Sequence, residues 1–236
     1  MIDLKLADGL DPAHLGAMFA ASGRLQIAGF LEGTGAQELL RQLSASREWL
    51  LTFNRGERVH DYNEAALAKL TPADRAAISR EVAQSARHGF QFCYETIRLP
   101  KRGEPRPPTA LAALEAFLCS PAVLDFLRTV TGAADIAFAD AHASRYRASH
   151  FLTAHDDEIE GQGRRAAYVL NLTPEWRSEW GGMLLFHDQA GNVTRGFRPT
   201  FNTLNIFAVP QPHSVSYVTP LAPHPRYAVT GWLRAA

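Results

Sequence analysis

Residues 150–172 read HFLTAHDDEIEGQGRRAAYVLNL, and this stretch indicates a strand, a loop and a second strand. The first six residues alternate imperfectly between polar and apolar side chains, as a short strand reaching a site would. The polar stretch from Glu158 to Arg165 contains two glycines, which predicts a loop. Residues 166–172 are apolar and β-prone except for Asn171, so they predict a buried strand.

Short strands and turns continue through the rest of the C-terminal half. Further strands are predicted at residues 183–186, 204–209, 213–218 and 226–233, and glycine, asparagine and proline lie between them. About seven or eight strands of this length predict a sandwich or a jelly-roll barrel.

A group of metal-binding residue types occupies this predicted barrel. His155 and Asp157 are two positions apart, so on one strand they would point to the same face, and His213 on a late strand can complete the group. Two imidazoles and one carboxylate hold Fe(II) on one side and leave positions open for an organic cosubstrate and O2. The later Arg226 is a candidate anchor for that cosubstrate. The His-x-acid triplet alone occurs about once by chance in such a chain, and a strand histidine is more often structural, so the surrounding pattern carries the prediction.

Four fragments together are more specific than the triplet. They are His155–Gly161 (HDDEIEG), Trp180–Gly182 (WGG), Pro212-His213 and Arg226–Trp232 (RYAVTGW). With them, roughly residues 135–236 resemble the Fe(II)/2-oxoglutarate-dependent oxygenases of the prolyl hydroxylase type, among them the ribosomal prolyl hydroxylases and their small bacterial relatives. The resemblance implies an α+β, mainly β protein with a double-stranded β-helix (jelly-roll) core that is braced by N-terminal helices.

The resemblance also implies a metal centre. Fe(II) would be held by His155, Asp157 and His213. Arg226 would pair with the distal carboxylate of 2-oxoglutarate, because a guanidinium binds a carboxylate bidentately and stays charged. O2 would be the second cosubstrate, succinate and CO2 the coproducts, and ascorbate a further candidate cofactor.

Four more residues are implied as cosubstrate contacts. Tyr146 would touch 2-oxoglutarate, Leu184 would pack against its methylene groups, and Thr230 would donate a hydroxyl hydrogen bond to the distal carboxylate. Asn171 stands where many relatives have a tyrosine that binds the cosubstrate, and its shorter amide reaches less far. Tyrosine and threonine are also ordinary strand residues, so the structural interpretation of these positions stays open.

Composition narrows the class of protein. The 236 residues carry 24 basic and 24 acidic side chains, which gives no electrostatic reason to expect nucleic-acid or membrane binding. The sequence shows no signal-peptide pattern and no apolar run long enough to span a bilayer, so a cytoplasmic protein is expected. Cys93 and Cys119 lie far apart in apolar contexts and are expected to be reduced thiols.

The N-terminal half is expected to support the barrel. We predict one domain over residues 1–236, with residues 1–108 as mainly helical support and residues 109–236 as the jelly-roll core that carries the site. Residues 99–108 are rich in proline and predict a connecting loop. The predicted helices are 12–21, 36–47, 72–87, 109–118 and 121–131, and the predicted strands are 24–30 and 90–98.

The expected activity is hydroxylation of an unactivated C–H bond, and by resemblance the favoured substrate is a prolyl residue of a protein or peptide. Hydroxylation of a free amino acid or another small molecule is the alternative within the enzyme class. A non-catalytic jelly-roll binding module and a cupin-like enzyme that uses another metal remain open. The loop from Glu158 to Arg165 is expected to cover the substrate, with Arg164 or Arg165 contacting backbone carbonyls.

Overall fold

A nearly closed antiparallel sheet dominates the computed structural model, which describes residues 2–100, 104–105 and 107–236. The helices are α1 (Pro12–Ser22), α2 (Gly35–Ala45), α3 (Glu64–Ala68), α4 (Pro72–Ser85), α5 (Ala110–Leu118) and α6 (Pro121–Thr131), with a 3-10 helix at Ser178–Trp180. The strands are β1 (Arg24–Ala28), β2 (Leu50–Arg55), β3 (Arg58–Tyr62), β4 (Phe92–Arg98), β5 (Ile136–Ala139), β6 (His142–Tyr146), β7 (Phe151–His155), β8 (Arg164–Asn171), β9 (Leu184–His187), β10 (Val193–Phe197), β11 (Thr203–Ala208), β12 (His213–Val215) and β13 (Arg226–Ala235).

The strand order explains the jelly-roll shape. Hydrogen bonds connect the strands in the order β1-β11-β8-β13-β6-β4-β7-β12-β9-β10, while β5 pairs with β13 and the β2–β3 hairpin pairs with β4 through β2. Strands β1, β11, β8, β13 and β6 make one wall, and β7, β12, β9 and β10 make the facing wall. The walls meet across the interior, where the rings of Phe186 on β9 and Phe207 on β11 are 5.2 Å apart in T-shaped contact. Strand β4 joins the two walls on one side.

Strand β8 is buried on both of its faces. Ala166 and Leu170 belong to the larger core cluster, which also contains residues of α1, α2, α5 and α6. Ala167 and Val169 belong to the smaller cluster between the two walls. Because both faces of β8 are buried, its sequence is almost continuously apolar instead of alternating. The helices therefore brace the outer face of one wall, as predicted.

Most predicted elements are confirmed with small shifts at their ends. The N-terminal caps also form: Asp11 accepts hydrogen bonds from two backbone N–H groups of α1, and Thr71 forms a capping box with Asp74 at α4. The β2–β3 hairpin and α3 were not predicted. The predicted loop 99–108 lies partly outside the described residues, because residues 101–103 and 106 are not described.

The predicted division at residue 108 is wrong as a boundary between helical support and barrel. Strands β1 and β4 precede it, and they pair with β11 and with β6 and β7. Helices α5 and α6 follow it. The cause is long-range strand pairing, which places β1 and β4 in the wall of the barrel. Local periodicity predicts a strand but does not reveal its partners.

No single helix in the described part of the chain is long and apolar enough to cross a bilayer, although α5 and α6 together, bent by 62°, reach that length and composition.

Candidate active site

The predicted metal ligands meet in the interior of the barrel. His155 is the last residue of β7 and His213 the first of β12, and the two are register partners in the antiparallel pairing. Their ring centroids are 4.1 Å apart. One ligand atom each of His155, Asp157 and His213 lies within 4.8 Å of the other two. The structure thus brings together the three residues that the sequence predicted.

Asp157 reaches this position differently from the prediction. It was expected to share a strand with His155, but β7 ends at His155 and Asp157 has a left-handed backbone, with φ of 66°. Aspartate tolerates this conformation better than most residues. The turn brings one carboxylate oxygen to 3.5 Å from Nε2 of His155 and the other to 3.4 Å from Nε2 of His213.

Backbone carbonyls orient both imidazoles for metal binding. Nδ1 of His155 lies 3.0 Å from the carbonyl oxygen of Thr153, and Nδ1 of His213 lies 2.8 Å from that of Gln211. A carbonyl oxygen only accepts, so each Nδ1 carries the hydrogen and each Nε2 presents its lone pair to the centre of the triad. Such a second hydrogen bond is typical of metal-binding histidines.

The charges of the triad also suit a divalent metal. Burial lowers the pKa of His213 to about 4, which keeps its imidazole neutral at physiological pH. Burial raises the pKa of Asp157, but its interactions with the His155 and His213 imidazoles lower it by more, so the pKa lies below its ordinary value. Two imidazoles and one carboxylate on one side of an open site fit Fe(II).

Arg226 lines the same cavity as the triad. Its side chain is only 2% exposed, and its guanidinium carbon lies 5.2 Å from the centre of the Tyr146 ring. Its Nη2 makes a long contact of 3.5 Å with Oδ1 of Asn171. Among the described residues, neither Nε nor Nη1 of Arg226 finds a hydrogen-bond acceptor. A buried cation with two unpaired donor nitrogens calls for an anion, and a carboxylate matches both its charge and its planar shape.

The other predicted cosubstrate residues have different outcomes. Tyr146, Leu184 and Thr230 line the cavity together with Arg226 and the triad. Asn171 is fully buried but is not among the residues that line it, since its amide nitrogen donates to the carbonyls of Val169 and Thr203. The structure therefore does not bring Asn171 into contact with the cavity, and its side chain supports Arg226 instead.

Thr230 lies away from Arg226, although it was predicted to bind the same carboxylate of 2-oxoglutarate. Four residues along a strand correspond to about 13 Å, so its backbone is far from that of Arg226. Its hydroxyl is paired with Nε2 of His142, 2.8 Å away on the neighbouring strand β6. Burial lowers the pKa of His142 to about 4, so this imidazole is neutral. His142 lines the cavity, which the sequence did not predict, because its pairing with Thr230 depends on the register of β6 and β13.

Arg164 and Trp232 form a support beside Asp157 that the sequence did not show. The guanidinium carbon of Arg164 lies 3.6 Å from the centre of the Trp232 ring, and its Nη1 donates to the backbone oxygen of Asp157 at 2.7 Å. In the described part of the chain, Nε of Arg164 and Nε1 of Trp232 are buried without a hydrogen-bond partner. Both residues line the cavity.

The predicted loop after Asp157 is shorter than expected. Strand β8 already begins at Arg164, so the loop covers residues 158–163. Arg165 points away from the cavity and forms a bidentate ion pair with Asp135. The predicted contact between this loop and a substrate therefore applies to Arg164 alone of the two arginines.

The cavity between these groups has a volume of about 390 Å³. This volume is in the range of small-molecule sites, which are mostly apolar with a few placed polar groups. The triad and Arg226 are such groups, and Leu184, Val169 and Phe207 supply apolar wall between them. The arrangement can hold a metal ion at one end and an anion on Arg226 at the other.

Comparisons with known proteins agree with this geometry. Residues 141–234 match the family model described as 2OG-Fe(II) oxygenase superfamily. The chain is 32% identical over 100 residues to prolyl 3-hydroxylase OGFOD1 of Mus musculus, a match that covers 39% of this chain and 18% of the mouse protein. This chain thus spans less than one fifth of the length of the curated relatives it matches.

Two solved structures share the fold over nearly the whole chain. A prolyl-4-hydroxylase from Pseudomonas putida is 20% identical with a TM-score of 0.57, and covers 96% of this chain and 100% of its own. A prolyl hydroxylase from Trichoplax adhaerens, solved with a hypoxia inducible factor peptide fragment, is 19% identical with a TM-score of 0.61, and the match covers 95% of this chain and 89% of that one. Residues 141–234 are thus similar in sequence to the 2OG-Fe(II) oxygenase superfamily, and the fold and the His-Asp-His triad agree with that similarity.

Proposed function

We propose that this protein is a 2-oxoglutarate-dependent dioxygenase that hydroxylates a prolyl residue of a protein or peptide. The observation that carries the proposal is the pairing, in one cavity, of a metal-binding triad with a buried arginine whose Nε and Nη1 find no acceptor among the described residues. A ligand that chelates the metal at one end and carries a carboxylate at the other would bind both the metal on the triad and Arg226. 2-Oxoglutarate is such a ligand.

The residues of the chain have separable tasks in this reaction. Fe(II) bound to His155, Asp157 and His213 would supply the activation of O2 and the oxidative decarboxylation of 2-oxoglutarate. Arg226 holds the distal carboxylate and thereby fixes the orientation of the cosubstrate. The apolar wall around Leu184 covers its methylene groups and excludes water, which strengthens the ion pair at Arg226.

A polypeptide substrate is supported by a free donor beside Asp157. Arg164 lines the cavity, and its buried Nε has no hydrogen-bond partner among the described residues. Unsatisfied buried N–H groups are costly, and a backbone carbonyl of a bound peptide would accept from them. The curated relative and the two solved structures are prolyl hydroxylases by name, which favours proline as the target residue.

The test is a screen of proteome-derived peptides with Fe(II), 2-oxoglutarate and O2, read by mass spectrometry. We expect a gain of about 16 Da, one oxygen atom, on a proline of selected peptides, and no gain without 2-oxoglutarate or with the Asp157→Ala variant. Oxidation of free amino acids with no modified peptide would contradict a polypeptide substrate and support the small-molecule alternative. Oxidation of peptides at other residues would contradict proline as the target.

Arg164→Ala is expected to impair hydroxylation. The substitution removes the support under Asp157, the stacking on Trp232 and one free donor, and outer-sphere changes of this kind typically cost about 10–100-fold in metal affinity or activity. The measurement is kcat/KM for a peptide substrate together with metal affinity. Arg165→Ala is the matched control, because Arg165 lies outside the cavity and pairs with Asp135. Equal losses in the two variants would contradict the role assigned to Arg164.

A further inference from the structure

Two large apolar side chains are exposed at the mouth of the cavity. Phe90, which precedes β4, is 52% exposed, and Ile159, in the loop after Asp157, is 49% exposed. Both line the same cavity as the triad. Exposed apolar residues scattered over a surface need no explanation, but a pair that borders a site marks a place for an apolar ligand.

Phe90 is held in place despite its exposure. Its ring centroid lies 5.8 Å from that of Phe92 and 5.5 Å from that of the metal ligand His155. The aromatic contacts continue inward, with Phe92 at 5.6 Å from Tyr94 and Tyr94 stacked on Tyr146 at 5.1 Å. This row ends beneath the guanidinium of Arg226. A ring fixed by neighbours loses little conformational entropy on binding, which suits a recognition surface.

The charges around the mouth indicate the chemistry of the occupant. Asp156 and Glu158 are exposed, and both line the cavity beside Ile159. The nearest arginines do not balance them, since Arg164 is turned inward onto Trp232 and Arg165 is paired with Asp135. An apolar pair with an acidic border disfavours an anionic lipid surface and favours an uncharged or basic polypeptide segment.

We propose that Phe90 and Ile159 form a clamp for a bulky apolar side chain of the substrate polypeptide, within two residues of the hydroxylated one. This inference rests on the proposed function and adds a sequence preference to it. Because Phe90 lies against His155, the clamp is next to the metal end of the cavity, where the target residue must sit. Packing of a leucine-sized side chain into such a clamp corresponds to about a tenfold preference over alanine.

The test compares selectivity within one enzyme. Nine-residue peptides with a central proline carry leucine or alanine at each of the two positions before and after it, and kcat/KM is measured for each pair. For the unmodified protein we expect a leucine-to-alanine ratio of about ten at one position or more. Phe90→Ala and Ile159→Ala should each bring that ratio close to one, and Phe90→Leu should keep part of it. The ratio is insensitive to a general loss of activity, which would lower both values alike.

Leu221→Ala is the matched control, because Leu221 is 68% exposed and does not line the cavity. Its ratio should equal that of the unmodified protein. A ratio near one in the unmodified protein, or a ratio that survives both Phe90→Ala and Ile159→Ala, would overturn the clamp while leaving prolyl hydroxylation intact. Failure of the unmodified protein to hydroxylate any peptide would overturn the proposed function, and the clamp with it.

Discussion

Replacement of Asp157 by alanine is expected to abolish Fe(II) binding and turnover. The variant loses the single charged ligand of the triad, and the two remaining imidazoles bind only one edge of the metal. We expect metal affinity to fall at least 100-fold, because changes to outer-sphere partners already reach about that size. Calorimetric titration with Mn(II) under anaerobic conditions measures the affinity without oxidation of the site.

His150→Ala is the control for this variant. His150 precedes β7 and is buried, but it lies outside the cavity that the triad lines, and its Nδ1 accepts a hydrogen bond from the backbone N–H of Arg147. Its loss should leave metal affinity largely intact. If Asp157→Ala retained the metal affinity of the unmodified protein, the assignment of the triad would be wrong.

Replacement of Arg226 by alanine is expected to weaken 2-oxoglutarate binding far more than metal binding. We propose the guanidinium as the buried partner of the distal carboxylate, and truncation of one member of a buried charge pair costs about 2–5 kcal/mol, much of it from the stranded partner. Titration of 2-oxoglutarate into the Mn(II)-loaded variant measures the loss. Burial lowers the pKa of Arg226, but an arginine stays protonated across physiological pH, so the effect should persist over that range.

Arg226→Lys separates charge from shape in this interaction. A lysine keeps the positive charge but lacks the planar fork, so we expect an affinity between those of the unmodified protein and the alanine variant. Arg165→Ala, on the surface, should bind 2-oxoglutarate normally. An unchanged dissociation constant for Arg226→Ala would remove the arginine from the cosubstrate site.

The sequence predicted which three side chains meet in the cavity, because two of them lie at strand ends that the local pattern reveals. His155 ends a strand that alternation reveals, and His213 begins another. The placement of Asp157 was predicted for the wrong reason, since strand alternation was expected to align it with His155 and a left-handed turn does so instead. Such a backbone conformation is not apparent in the side-chain pattern of the sequence.

Features that depend on strand register could not be predicted. The hydrogen bond between Thr230 and His142 and the stacking of Arg164 on Trp232 join residues far apart in the chain. The place of β4 between the two walls of the barrel has the same origin, because a strand's periodicity does not identify its neighbours. Asn171 was assigned to the cosubstrate by analogy with a tyrosine, whose longer side chain would reach farther than the amide does here.

The most direct test of the central claim is the conversion of 2-oxoglutarate to succinate by the purified protein with Fe(II) and O2. The geometry of the triad and Arg226 predicts that succinate accumulates only when metal, cosubstrate and O2 are all present, and that Asp157→Ala and Arg226→Ala reduce it strongly. Metal binding without any turnover of 2-oxoglutarate, in the presence or absence of peptide substrates, would contradict the account and support a binding module or a metalloenzyme of another kind.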